Sequence, residues 1–175
     1  SSGTGSSTGS SGGSAKVTYK EYTIDAYGVI TGNYAMPRTK ISESDVSLMP
    51  ITKGTMVRVL GEDKSYYKIV DGTFVSKSSM TLYKEAITNN KVTKAVVKDD
   101  TTNNVVRTTF TANVNAMHAV TLDGNKVYLT FYDTTSAKKP TVKSNDTVES
   151  VTVSVDKKKK TATYCYNLYE GAAVT

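Results

Sequence analysis

The sequence is poor in the residues that build disulfides, metal sites and helical bundles. Its 175 residues include one cysteine, one histidine, three prolines, six leucines and no tryptophan. A single cysteine forms no intramolecular disulfide, and zinc sites that need several Cys or His ligands are excluded within this chain. No apolar run approaches the roughly 20 residues that a membrane-spanning helix requires. The sequence therefore predicts a protein without a membrane span and without a resident metal or cofactor.

Threonine and valine are abundant instead, with 27 and 21 copies. β-Branched side chains lose rotamer freedom on a helix and pack well on a pleated sheet, so this composition predicts an all-β fold. The net charge is +6, from 22 basic and 16 acidic residues. A positive excess suits an anionic partner such as a bacterial wall or nucleic acid, and solubility explains it equally well.

The chain divides into three segments by composition. Residues 1–16 open with a run of only Ser, Gly and Thr, which buries almost nothing and predicts a disordered linker. Residues 17–88 contain short predicted strands at 17–24, 55–60, 66–70, 73–75 and 80–83. Turns separate them every few residues, which is typical of a small barrel.

Residues 89–175 show a cleaner alternation of apolar and polar positions. Predicted strands cover 92–97, 105–114, 118–122, 127–132, 148–155 and 161–168. Asp-Gly at 123–124 and the lysine run at 157–160 mark two hairpin turns. We interpret this segment as a second, antiparallel β-sandwich-like domain, with one face of each sheet buried and the other in water.

Residues 51–81 resemble the bacterial SH3 domain. The resemblance is carried by a Lys-Gly turn, alternating valines, a Tyr-Tyr-Lys-Ile strand and a Gly-Thr-Phe-Val strand, at Lys53-Gly54, Val57/Val59, 66–69 and 72–75. Upstream, Arg38 falls where the family has an arginine, although its neighbours differ, and Tyr66 stands where the family usually has tryptophan. The resemblance implies an SH3-like barrel over 17–88 that serves as a binding module, often for cell-wall peptides.

Residues 90–175 resemble, more faintly, the AMIN-type β-domain that accompanies N-acetylmuramoyl-L-alanine amidases. The hairpin at 120–132 and the strand pair at 148–155 and 161–168 carry this resemblance. Together the two resemblances imply a non-catalytic, secreted or wall-associated region of a cell-wall hydrolase. Its expected partner is peptidoglycan or a wall peptide, and not nucleic acid. The alternative is a structural spacer or protein-interaction module of a bacterial surface protein.

Aromatic side chains are the candidate ligand contacts, because rings offer large apolar area at low entropy cost. The candidates are Tyr34, Tyr66, Tyr67, Phe74 and Tyr83, and the first four, with Arg38, form the predicted groove. The alternative is that about half of them fill the barrel. Strand alternation sends Tyr66 and Tyr67 to opposite faces, so no more than one of these two belongs to the core.

Two charged side chains complete the predicted site. The planar guanidinium of Arg38 suits a peptide carboxylate, although it equally suits bonds to the backbone carbonyls of its own loop. Asp63, in the turn before the Tyr-Tyr pair, is a candidate for a peptide amine, and the alternative is a solvated turn acid. An enzyme would instead need His118, Cys165 and a carboxylate within hydrogen-bond reach. We expect His118 at a strand end and Cys165 as a small buried side chain.

Overall fold

The computed structural model describes residues 19–39 and 49–172. Within this part the chain forms sixteen β-strands and one short 3₁₀ helix, Lys77–Ser79, with no α-helix. The all-β prediction is confirmed. The linker predicted at 1–16 lies outside the described residues. No helix in the described ranges is long and apolar enough to cross a membrane.

The N-terminal lobe (19–39 and 49–83) consists of a six-stranded sheet and a two-stranded hairpin. Its strands are β1 (Lys20–Glu21), β2 (Tyr27–Ile30), β3 (Tyr34–Ala35), β4 (Ile51–Thr52), β5 (Met56–Glu62), β6 (Tyr66–Ile69), β7 (Phe74–Ser76) and β8 (Met80–Tyr83). The order across the sheet is β7-β6-β5-β2-β8, with β1 beside β5, and every pairing is antiparallel. Strands β3 and β4 form a separate two-stranded hairpin.

β5 is the central strand of this lobe, and alternate residues of it are buried. Val57 and Val59 enter a core with Ile30, Ile69 and Val75. The next buried position is Gly61, in a part of the strand where the register shifts. A Cβ at Gly61 would overlap the hydroxyl of Tyr19 and the carbonyl oxygen of Lys20. Glycine is therefore required there for β1 to approach β5.

The first long strand lies later than the sequence predicts. A strand was expected over 17–24, whereas only Lys20–Glu21 pairs there and the next full strand is Tyr27–Ile30. The buried side of that strand consists of Ala26, Gly28 and Ile30. Two of these three residues are too small to produce a hydrophobic alternation in the sequence. Gly28 is small because the Met80 side chain lies directly over it.

The C-terminal lobe (90–172) is a sandwich of two four-stranded sheets. The strands are β9 (Asn90–Asp100), β10 (Val105–Ala112), β11 (His118–Asp123), β12 (Lys126–Tyr132), β13 (Thr134–Ala137), β14 (Thr141–Val142), β15 (Val148–Asp156) and β16 (Thr161–Leu168). One sheet has the order β10-β9-β13, with β14 also beside β9, and the other has the order β11-β12-β16-β15. Phe110, Phe131 and Tyr164 meet edge to face between the sheets, with ring centroids 5.0–6.1 Å apart.

The expectation of purely antiparallel hairpins in this lobe is wrong for one edge. Both β13 and β14 pair with β9 in parallel, after the chain crosses from one sheet to the other at Asp133. These strands are short and mostly polar, so they carry no hydrophobic alternation. They are fixed by tertiary contacts, such as the hydrogen bond from the buried Asn90 amide to Thr134 Oγ1, 3.1 Å long.

The two lobes are in direct contact. The Met56 backbone N–H donates to the carbonyl of Asn115, at 2.8 Å, and its carbonyl accepts from the N–H of Met117, at 3.3 Å. The Met117 side chain is buried in the core of the N-terminal lobe. Arg58 Nε lies 2.9 Å from Oδ1 of Asp133, a carboxylate only 4% exposed. Burial raises the pKa of the Asp133 carboxyl, and the Arg58 guanidinium opposes that rise.

Candidate functional site

Strands β6 and β7 place the predicted ring residues on two different sides of the sheet. The register pairs Tyr66 with Ser76, Tyr67 with Val75, and Lys68 with Phe74. Val75 is fully buried, and Tyr67 on the same side packs against the core. Tyr66, Lys68 and Phe74 consequently face outward, and each is half-buried. The opposite orientation of the two adjacent tyrosines agrees with strand alternation.

Arg38 joins this outward side through its backbone and its side chain. Its N–H donates to the carbonyl of Phe74, and its carbonyl accepts from the Phe74 N–H, both at 2.8 Å. This bridge extends the sheet beyond β7. The guanidinium carbon then lies 5.9 Å from the centroid of the Tyr66 ring, within the range of a cation–π contact. The Arg38 backbone thus ties its loop to β7.

Tyr19 and Lys68 complete the cluster. Lys68 Nζ lies 5.0 Å from the ring centroid of Tyr19 and 6.0 Å from that of Phe74. The two rings meet edge to face with centroids 6.2 Å apart. Burial, with a smaller contribution from Glu21, raises the pKa of the Tyr19 hydroxyl. We call this surface the aromatic face: Tyr19, Arg38, Tyr66, Lys68 and Phe74.

Sequence reasoning placed three of these five residues in the site and missed Tyr19 and Lys68. Tyr19 lies in the segment 19–21 that leads into and forms β1, which we call the arm, and Lys68 lies in the Tyr-Tyr-Lys-Ile strand β6. What joins them is the approach of the arm to β5 at Gly61, and the sequence carries no signal for that approach beyond the glycine itself.

Tyr67 belongs to a different set of contacts, on the core side of β6. Lys77 Nζ lies 5.2 Å from the centroid of its ring and also forms an ion pair with Glu62. Hydrogen bonding to Lys77 holds the pKa of the Glu62 carboxyl below its usual value. We therefore infer that Tyr67 packs against the core and supports Lys77, and that it does not belong to the outward surface.

The Asp63 side chain stabilises its own turn. Its Oδ1 accepts the backbone N–H of Ser65 at 2.9 Å and that of Tyr66 at 2.6 Å. This Asx-type arrangement fixes the β5–β6 turn and so the start of the strand that presents Tyr66. One carboxylate oxygen is committed to these bonds, which supports the structural alternative for Asp63.

Tyr34 lies on the β3–β4 hairpin and is 59% exposed. Within the described residues its ring contacts none of the rings of the aromatic face. The predicted groove thus divides into a compact cluster around Tyr66 and Phe74 and a separate exposed tyrosine.

The chemistry available on the aromatic face is binding. Apolar rings beside two cations can hold an extended peptide and attract a carboxylate. His118 and Cys165, considered for an enzyme, lie on opposite faces of one sheet, because His118 pairs with Phe131 and Cys165 with Tyr128 three residues earlier. No group of three or more Cys, His, Asp or Glu side chains suited to a metal occurs within residues 19–39 and 49–172.

The expected burial of Cys165 is wrong. It is a free, half-buried thiol on the outer face of β16, between Tyr128 of β12 and Thr152 of β15. The neighbouring residues Tyr164 and Tyr166 occupy the core side instead. Their larger apolar area takes the buried register, and strand alternation then turns Cys165 outward.

Comparison of the chain with protein-family models, with curated proteins and with solved structures found no match.

Proposed function

We propose that this chain is a non-catalytic binding region that attaches a secreted bacterial protein to peptidoglycan, with the aromatic face as the contact for wall peptide. The observation that carries the proposal is the outward cluster in which the Tyr66 ring lies under the Arg38 guanidinium, beside Phe74 and Lys68. This cluster occurs within the segment whose sequence resembles bacterial SH3 domains. The parent protein in this proposal is a wall hydrolase of the N-acetylmuramoyl-L-alanine amidase type.

The ligand chemistry follows from the side chains on the face. Phe74 and Tyr66 offer apolar contact for the aliphatic parts of an extended peptide, and Arg38 offers a positive charge for a carboxylate. Lys68 lies over the Tyr19 and Phe74 rings, which fixes its position. A single module of this kind binds weakly, and its value to a hydrolase is to raise the local concentration of enzyme at the wall.

A sedimentation assay with purified peptidoglycan sacculi tests this proposal. The full chain is mixed with sacculi at low salt, and the unbound fraction gives an apparent Kd. We expect Tyr66→Ala to raise that Kd by roughly fivefold to thirtyfold, equivalent to about 1–2 kcal/mol for the loss of an aromatic anchor. Arg38→Gln keeps the backbone bridge to Phe74 and should weaken binding by a smaller factor.

The matched control is Tyr83→Ala. Tyr83 is 40% exposed on β8 and stacks on Tyr27, at a centroid distance of 4.9 Å, so it is an outward tyrosine outside the aromatic face. Its removal should leave binding within about twofold of the unmodified chain, because it loses no proposed ligand contact. Equal losses in Tyr66→Ala and Tyr83→Ala, or no sedimentation of the unmodified chain, would contradict the proposal.

A second candidate function is a structural spacer between other parts of a surface protein. The observation that favours it is the direct contact between the lobes, where Met56 exchanges backbone hydrogen bonds with Asn115 and Met117. Such contacts suit a rigid connector. A spacer would leave Tyr66→Ala without effect on sacculus binding, so the same assay separates the two functions.

A further inference from the structure

The outer side of the β10–β9–β14 sheet carries a concentrated positive charge. Strand register puts Lys98 opposite Arg107 and Lys94 opposite Thr111, on the side away from the core. Val142 of β14 pairs with Val97, so the following residue, Lys143, lies at the level of Lys98. We call this surface the lysine face: Lys94, Lys98, Arg107, Thr109, Thr111 and Lys143.

Three cations consequently lie in one row across three adjacent strands: Arg107, Lys98 and Lys143. Neighbouring strands are about 4.8 Å apart, and like charges directly opposite each other destabilise a sheet. Asp100 partners Arg107, with its Oδ2 3.0 Å from Nε and 2.9 Å from Nη2. No carboxylate of the described ranges forms an ion pair with Lys98 or Lys143. Asp100 lies on the same side of β9 as Lys98 and neutralises Arg107, so the positive excess of the row comes from Lys98 and Lys143.

A groove of about 410 Å³ lies between the lobes, but the groove on the lysine face has the clearer chemistry. It has a volume of about 480 Å³, and its walls include Lys94, Lys98 and Lys143 together with threonine side chains. Lysine ammonium groups bind phosphate as point charges, and threonine hydroxyls can donate to its oxygens.

We propose that the lysine face binds a linear polyanion with phosphate groups in its backbone and no aromatic bases. The row of cations across the strands matches closely spaced charges along an extended chain. The residues that register places on this face include no aromatic ring. Proteins that hold single-stranded nucleic acid combine basic grooves with rings on which bases stack, so the absence of rings from this face favours a polymer without bases.

The lysine face and the aromatic face belong to different lobes and share no residue. The polyanion site therefore does not rest on peptide binding at Tyr66. A chain with the Tyr66→Ala substitution should keep its affinity for the polyanion. Failure of either proposal is in this way distinguishable from failure of the other.

The test is fluorescence anisotropy of the full chain with two labelled probes, inorganic polyphosphate and poly(glycerol phosphate), at several salt concentrations. At 50 mM salt we expect the double variant Lys98→Gln/Lys143→Gln to bind between roughly tenfold and sixtyfold more weakly, because each phosphate contact contributes a counterion-release term. The slope of log K against log salt should fall by about 1.4 for the two lost contacts.

The matched control removes the same charge from the β15–β16 turn. Lys157 and Lys159 lie in that exposed hairpin turn. The Lys157→Gln/Lys159→Gln variant should therefore bind the polyanion no more than about threefold more weakly if the site is local. Binding of at least one phosphate polymer with this pattern of variants supports the proposal. Equal weakening by both double variants, no binding of either probe at 50 mM salt, or tighter binding of an oligothymidylate of equal charge would overturn it.

Discussion

The aromatic face and the lysine face are both outer surfaces of sheets, yet their cations have different neighbours: aromatic rings on one face and other cations on the other. On the aromatic face, Lys68 and Arg38 lie over rings that fix their positions. On the lysine face, Lys98 faces Arg107 across the strand pair, with Lys143 on its other side. A cation over a ring presents its charge together with an apolar surface, whereas cations beside one another concentrate positive charge alone. This difference is why we propose a peptide as the ligand of one face and a polyanion as the ligand of the other.

The largest effect that separates the two faces is expected from Gly61→Ala. The new methyl group would overlap the Tyr19 hydroxyl and the Lys20 carbonyl, so the arm must move away from β5. We expect a loss of about 1–3 kcal/mol in the free energy of unfolding, measured by urea denaturation, as for other overpacked sites. Sacculus binding should weaken with it, while polyanion binding at the lysine face should persist.

Gly32→Ala is the control for that experiment. A Cβ there would meet only the carbonyl oxygen of Tyr34, at 3.4 Å, and should change stability by less than about 0.5 kcal/mol. If Gly61→Ala were as mild as Gly32→Ala, the close approach of the arm would not be a feature of the protein in solution.

The next effect concerns the ion pair beside Tyr67. Lys77 lowers the pKa of Glu62 in the folded state, so the pair stabilises the fold above the usual Glu pKa of 4.5, and this contribution is lost as the pH falls through the lowered folded value. Glu62→Gln should therefore cost up to about 1 kcal/mol at pH 7, a small value because the pair is partly exposed to solvent. The difference in Tm between variant and parent should shrink at pH 3. A difference of the same size at both pH values would contradict this account.

The smallest effect has the opposite sign. Lys98→Gln removes the central cation of the row on the lysine face and should raise the free energy of unfolding by about 0.2–1 kcal/mol at low salt. Lys94→Gln is the matched control, because Lys94 lies opposite Thr111 in the β9–β10 pair, whereas Lys98 lies opposite Arg107. The gain should disappear at high salt, where the repulsion is screened. A loss of stability in Lys98→Gln would show that the row is not repulsive.

Much of the fold could be predicted from local signals. The β11–β12 turn contains Gly124 with a positive φ, and the lysine run closes the β15–β16 hairpin. Alternation likewise identified the long strands of the C-terminal lobe. The parallel strands β13 and β14 could not be predicted, because their residues are few and polar and their positions depend on pairing with β9.

At the two faces, likewise, the sequence predicts single residues but not which distant residues meet. Tyr66, Phe74 and Arg38 were found from strand patterns and a family resemblance. The meeting of Tyr19 with Lys68, and that of Lys98 with Arg107 and Lys143, depends on which strands become neighbours and in which register. Residues far apart in the chain carry no local signal of such a meeting.

The most direct test of the central claim is an NMR titration of the isotopically labelled full chain with soluble peptidoglycan fragments. We expect amide shifts that concentrate on Arg38, Tyr66, Lys68 and Phe74, with little change at Tyr83 on the far edge of the same sheet. Shifts that avoid the aromatic face, or a spectrum that does not respond to the fragments, would contradict it.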